Sequence, residues 1–379
     1  MKAGNQAGSM TVEGTPYSHD EMLDASTGSP SVHGVDRAVQ YEHSMDLAEL
    51  LQSIQCSLLV STYQAGKLVS IGAAGNQLDI SFHNFQRPMG VAIDACRRRI
   101  SIASKDTIWH LQNGDSFAPQ IDPAGRFSSC FVTRSSSVTG DIQAHEMAWS
   151  GDQLWIVNTL FSCLCTLDDK HSFVPIWRPH FVSDLAPEDR CHLNGLACVD
   201  GQPKYVTAMA ESNTAGGWRA DKVKTGCLID VESNVTVATG FAMPHSPRIH
   251  GDDVYLLDSG RGGLVRIDRS GHAETIARFP GYTRGLAIHG SLAFVGLSKI
   301  RETSTFGGVP IADERDRLKC GVAIVDVSSG KLVGQFEFQS GVSEIFDVRL
   351  LPSNGLVSLH GPYATDEGSK PIWVLPRPD

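Results

Sequence analysis

Ala144-His145-Glu146-Met147-Ala148-Trp149, then Gly151-Asp152-Gln153-Leu154-Trp155-Ile156-Val157-Asn158, decides the fold. A histidine and a carboxylate head an apolar run, a glycine turn follows, and a second apolar run closes the unit. Five other stretches open in a related way: Arg87-Pro-Met-Gly-Val-Ala-Ile, His192-Leu-Asn-Gly-Leu-Ala, His245-Ser-Pro-Arg-Ile, Tyr282-Thr-Arg-Gly-Leu-Ala-Ile and Glu344-Ile-Phe-Asp-Val-Arg-Leu. Most lead through a turn into a second strand, as in DDVYLLDSGRGGL and SLAFVGLSKIRE.

The openings lie roughly 37 to 62 residues apart, and repeats of about 40–50 residues that each hold several strands are propeller blades. A helical solenoid would need a 3.6-residue period, which is absent, and a sandwich would not repeat one opening six times. The chain therefore reads as all-β, a single β-propeller closed between N- and C-terminal strands. Six openings give six blades. Counting second strands, with SLLVSTYQAGKLVSIG from residue 57, gives seven, the number this reading favours.

The propeller is expected over 56–379. Residues 1–40, rich in Gly, Ser, Thr, Asp and Pro, read as a disordered tail. Residues 41–55 read as a short helix, with helical apolar spacing after Ser44. The charged insertion 299–319 reads as a loop on one face, and Glu211–Arg219, with its Trp218, as a pocket wall or lid.

The net charge of -10 disfavours nucleic acid and anionic membrane as partners. No apolar run is long enough to span a bilayer, and the N-terminus has no signal-peptide core. Nine cysteines without a CxxC pair predict reduced thiols and a cytoplasmic protein. Cys163 and Cys165 read as core packing, and the Asp258–Gly263 run as a β-turn.

In a propeller the first strand of each blade lines the central channel, so residues at the six openings converge on one small ligand. In one slot stand Arg87, Ala144, His192, His245, Tyr282 and Glu344. Near the centre of the alignment stand Glu146, Asn194, Arg248, Arg284 and Asp347, with His145 between the rows. His192 and His245, assigned to one slot of successive blades, are expected to be neighbours. Polar groups of this number cost free energy when buried unless paired or liganded.

Two chemistries fit. In the first, His192, His245 and Glu344 or Glu146, with His145 as a spare ligand, hold a divalent transition metal (Zn, Fe or Mn, with Ca disfavoured by the imidazoles). In the second, Arg87, Arg248 and Arg284 clamp an anion, with Asn194, Tyr282 and Asp347 beside it. Glu146 and His145 are the catalytic acid/base candidates. The expected function is an enzyme acting on a small anionic or carbonyl-containing molecule, by hydrolysis, isomerisation or cyclisation, or oxidation. No nucleotide cofactor is expected. The alternative is a non-catalytic propeller that binds a protein or ligand.

Thr62-Tyr-Gln-Ala-Gly-Lys-Leu68, Phe85-Gln-Arg-Pro-Met-Gly90, Leu154-Trp-Ile-Val-Asn-Thr159, His192-Leu-Asn-Gly-Leu196 and Ile345-Phe-Asp-Val348 resemble an uncharacterised family of bacterial propellers, over most of residues 56–351. That resemblance implies the fold and no activity. A more distant one is to the gluconolactonase, regucalcin and strictosidine synthase superfamily. His145-Glu-Met-Ala-Trp149 is similar to its first metal strand and Leu193-Asn-Gly-Leu-Ala197 to its Asn-Gly-Leu strand, which implies ligand roles for Glu146 and Asn194. Arg284 stands where that group has a carboxylate, and Ser246-Pro-Arg248 matches no ligand slot. The resemblance thus implies at most two of four calcium ligands, and a different metal or none.

Overall fold

A computed structural model describes residues 5–12, 37–96, 98–300 and 308–375. Its strands form six sheets around a central channel, each an antiparallel blade. Five blades, the second to the sixth, take their four core strands consecutively. The third is Ala144–Ser150, Gln153–Asn158, Cys163–Thr166 and Val174–Trp177. The fourth runs from Leu193–Val199 to Val235–Phe241, and the fifth from Pro244–His250 to Ala273–Arg278. The sixth opens with Tyr282–His289.

The ring closes in the first blade. Its innermost strand is Asp347–Pro352, from the C-terminal end of the chain, followed outward by Cys56–Ser61, Lys67–Ala74 and Gln77–Asn84. The N- and C-terminal pieces therefore share one blade, and the count is six, not the favoured seven. Leu356–His360 then lies parallel against Phe127–Val138, the outer strand of the second blade.

Turn chemistry explains why the blades' first two strands pair so regularly. Gly151, Gly201, Gly251 and Gly290 all have positive φ in the connection between them. In the fourth blade both Asp200 (φ 49) and Gly201 (φ 77) are left-handed, which matches the twist of a tight hairpin. Apolar residues of adjacent blades fill the spaces between them. Val157 and Leu164 of the third, for example, pack with Leu196 and Val206 of the fourth, all fully or almost fully buried.

The N-terminal region differs in part from its reading. Asn5–Val12 and Arg37–Ser44 are strands added to the outer edge of the sixth blade, the first inside the 1–40 segment expected to be a disordered tail and the second running from it into the segment expected to be helix. Residues 13–36 lie outside the described residues. The helix is Leu47–Ser53, and it buries Leu47 and Leu51, one turn apart, against Phe336 and Phe338. In the 299–319 insertion, Pro310–Arg317 forms 3-10 helix, and 301–307 lie outside the described residues.

Candidate functional site

Backbone pairing fixes which side chains share a level of the channel. Ala144, Leu193, Pro244 and Tyr282 pair with Asn158, Ala208, Asp258 and Ser298, and each pair is followed by a register shift. By this register His145 and His245 are equivalent, and so are Glu146 and Arg284. His192 is not equivalent to His245. It precedes its strand, level with Gln143 and Met243, and all three have left-handed φ (49, 53 and 54). The expectation that His192 and His245 share a slot is corrected: His192 instead meets His145, ring centroids 4.9 Å apart.

Deep in the channel is an ion cluster. Glu146 accepts from the Leu196 backbone N–H at 2.9 Å and from Arg349 at 2.8 Å, and pairs with Arg248 at 2.5 Å. Asp347 accepts from the N–H groups of Val91 and Val348 and from Arg349 Nε, each at 2.9 Å. Arg248 also donates to the carbonyls of Leu286 and Pro247, both at 2.7 Å. Burial pushes the Asp347 carboxyl up, and Arg349 opposes it. Buried charges demand this degree of pairing. Glu146, expected as an acid/base, and Arg248, expected as a clamp, are both engaged in this cluster, where they link neighbouring blades. Arg349 was not anticipated, although it lies two residues beyond Asp347 and so on the same strand face.

Above the cluster a pocket of about 360 Å³ opens at one end of the channel. Its volume falls in the range of small-molecule sites. Arg87, Tyr282, Arg284, Glu344, His145, His192 and Trp218 line it, together with Tyr63, Phe346 and Asp189, which were not singled out. Trp218 does come from the Glu211–Arg219 segment read as a pocket wall. Asn194, His245 and Asp347 do not line the pocket. They surround a second, smaller cavity beneath it, of about 10 Å³, which shares His145, Arg284 and Phe346 with the pocket.

Hydrogen bonds set the histidine tautomers. His145 Nδ1 lies 3.0 Å from the Gln143 carbonyl and 2.8 Å from Thr159 Oγ1, whose own proton goes to the Leu193 carbonyl. Nδ1 must therefore carry the proton. His245 repeats the arrangement in its blade, with Nδ1 3.0 Å from the Met243 carbonyl and 2.9 Å from Ser259 Oγ. Burial, then Arg284, then His192 hold both imidazoles well below the ordinary histidine range, so they are neutral and their Nε2 lone pairs are bare. His192 Nδ1 lies 3.0 Å from each Asp189 oxygen and donates to that carboxylate. Trp218 Nε1 fixes Asp189 at 2.9 Å, and the indole packs on His192 at 4.4 Å between centroids.

Arg284 is 4% exposed and lies over the Phe346 ring, 3.4 Å from its centroid. Its nearest described carboxylate oxygen, on Glu344, is 3.8 Å away, beyond a direct hydrogen bond. Burial lowers its hold on its proton without bringing it near neutrality. At the rim Arg87 pairs with Asp141 at 2.8 Å.

The metal triad is not assembled. His192 and Glu344 line the pocket, whereas His245 lies in the cavity below. Among the described residues no group of three His, Cys, Asp or Glu side chains can hold a metal ion. Arg284, beside both His145 and His245, would repel a cation there. These donors do not fit the expected Zn, Fe or Mn.

Among the described residues no helix is long and apolar enough to cross a membrane. A phosphatidylethanolamine N-methyltransferase of Ajellomyces capsulatus (strain H143) is 24% identical over 179 residues. The match covers 42% of this chain and 17% of that protein. Solved structures similar in outline include a nidogen/laminin complex (TM-score 0.49, 9% identity, 79% of this chain and 100% of that one). Another is a putative 6-phosphogluconolactonase of Bacteroides uniformis (0.42, 13%, 78% and 99%). A third is an inactive virginiamycin B lyase of Staphylococcus aureus with quinupristin (0.36, 12%, 74% and 79%). At these scores they carry no argument about activity. Residues 45–357 match one family over well more than half of the chain, and the protein belongs to it: the family described as Domain of unknown function (DUF4915).

Proposed function

We propose that the pocket binds a small molecule with a flat apolar body and a carboxylate or carbonyl oxygen directed at Arg284, and that its histidines carry acid–base catalysis. One observation carries the reading. His145 presents an Nε2 lone pair, fixed by bonds at Nδ1, in a concave site that also holds a buried guanidinium. A neutral imidazole with a fixed tautomer is a general base, and the guanidinium matches a carboxylate or a developing oxyanion. His192, oriented by Asp189, is the second acid–base group. Tyr63 and Phe346, stacked with centroids 5.6 Å apart, and Trp218 supply the flat apolar walls.

The donor chemistry favours a reaction without a metal. A non-catalytic ligand-binding module is the second reading, favoured by the ion cluster of Glu146, Arg248, Asp347 and Arg349 beneath the pocket.

Benzoate is the simplest probe with the required features. Calorimetric titration should show binding to the full-length protein, lost in Arg284→Met and retained in Arg266→Ala, far from the pocket. Equal binding by wild type and Arg284→Met would sink the proposal. Turnover of a carbonyl compound that is abolished in His145→Gln would separate the enzyme from the binding module.

A further inference from the structure

The small cavity under the pocket has its own chemistry. Asn194 and His245, each 2% exposed, border it. Asn194 Oδ1 accepts from Thr207 Oγ1 at 2.6 Å, which orients the amide, yet its Nδ2 has no partner among the described residues. His245 Nε2 has none either, although Nδ1 is bonded twice. Ser246 Oγ accepts from the Gly285 N–H at 3.1 Å, so its own proton is available to the cavity. Buried polar atoms are rarely left unsatisfied, and two bordering one cavity mark a position for a ligand.

The donor and acceptor pattern identifies that ligand. Asn194 and Ser246 offer protons, whereas His245 Nε2 offers a lone pair. A halide would face that lone pair and the carboxylates of Glu146 and Asp347, which also border the cavity. Water donates to the third and accepts from one of the first two, which leaves a lone pair on its oxygen. The volume, about 10 Å³, is that of one water position.

Resting on the acid–base reading of the pocket, we propose that a water held between Asn194 Nδ2 and His245 Nε2 is the nucleophile of a hydrolytic reaction on a small acyl ester or amide. Its oxygen attacks the acyl carbon and its proton passes to His245 Nε2. The carbonyl electron pair moves onto oxygen facing Arg284. On collapse the bond from acyl carbon to leaving group breaks, and the leaving group takes the proton from His245. Water and acyl compound give acid and alcohol or amine, with no other reactant. His145, Arg284 and Phe346 border both spaces, so the water and the substrate share these walls.

A crystal structure of the full-length protein, before and after a bromide soak, tests the position. An oxygen-sized peak within about 3.2 Å of both Asn194 Nδ2 and His245 Nε2, unmoved by bromide, is expected. A bromide anomalous peak there, or no peak, overturns the proposal. Hydrolysis of 4-nitrophenyl acetate tests the role. Wild type should exceed buffer, His245→Gln should lose about 100-fold or more, and Arg266→Ala should match wild type. Hydrolysis at the buffer rate, or unchanged in His245→Gln, overturns the role. If benzoate still binds in that case, only this inference fails; if benzoate binding also fails, so does the reading of the pocket.

Discussion

His145 and His192 meet edge to face, ring centroids 4.9 Å apart, although they sit at unequal levels of neighbouring blades. Both use Nδ1 to donate to a fixed acceptor, so the pair is oriented by the backbone and by Asp189. Burial keeps His145 neutral, and His245 likewise. This has a cost in acid. In the unfolded chain both bind protons near pH 6.5, whereas folded they do so well below that. Their contribution to stability is complete above about pH 6.5 and is lost as the pH falls toward their folded values. Each lowers stability by up to about 1.4 kcal/mol per pH unit below 6.5. Urea midpoints measured from pH 7.5 to 5.5 should fall, and the fall should be shallower in a His145→Gln, His245→Gln double variant. A flat wild-type profile would contradict the neutral state.

Arg284 is the second cause of that neutrality for both rings. Replacing it with Met removes the charge and keeps much of the packing against Phe346. In NMR titrations His145 and His245 should then protonate at higher pH than in wild type. They should still stop short of the ordinary value, because burial, the larger cause, persists. No change would show that the guanidinium does not face the rings.

Glu146 separates architecture from catalysis. Removing its carboxylate leaves Arg248 and Arg349 short of a partner and the Leu196 N–H unsatisfied. Glu146→Ala should cost about 3–5 kcal/mol in chemical unfolding. A stable variant that had lost only activity would restore the catalytic role given to Glu146 by sequence.

Gly296 lies beside the backbone of the Arg284 strand, and an added Cβ would overlap the Arg284 carbonyl oxygen and press on Ile345. Gly296→Ala should destabilise by about 1–3 kcal/mol. Because the displaced strand carries the guanidinium, benzoate affinity should fall as well, read in the same calorimetric titration. Unchanged affinity would mean that Arg284 does not hold the ligand.

Metal content is a direct check on the donor set. Elemental analysis of the purified protein should show no stoichiometric Zn, Fe or Mn. One equivalent of metal per chain, lost in a His192→Ala, His245→Ala double variant, would reinstate the metal reading.

Much of the fold was legible because it is local. Alternating apolar residues and the glycine turns at Gly151 and Gly251 define the hairpins, and their repetition defines the propeller. Blade number was not local, since Asp347–Pro352 must find Cys56–Ser61 across almost the whole chain. Within the site, His145, Tyr282 and Arg284 were recognisable because they open inner strands. The slot shared by His192 and His245 was wrong because aligning apolar runs ignores the register shift after each opening pair. Asp189, Trp218 and Tyr63 come from connections between strands, whose position no periodicity encodes. Sequence also could not show that Glu146 meets Arg349, a contact made only when the ring closes.

That closing strand has a consequence for the order in which the molecule comes into being. Asp347 and Arg349 are half of the charged cluster at the bottom of the channel, and they follow the core strands of the other five blades in the chain. Until they dock, Glu146 lacks Arg349, and the Val91 N–H lacks its carboxylate acceptor. Five blades can stack on one another as they emerge, but the floor beneath the pocket is finished in the same step that seals the circle. Closure of the ring and completion of the channel floor are thus a single event, and a chain that fails to dock Asp347–Pro352 on Cys56–Ser61 is left as a stack of sheets without a finished channel.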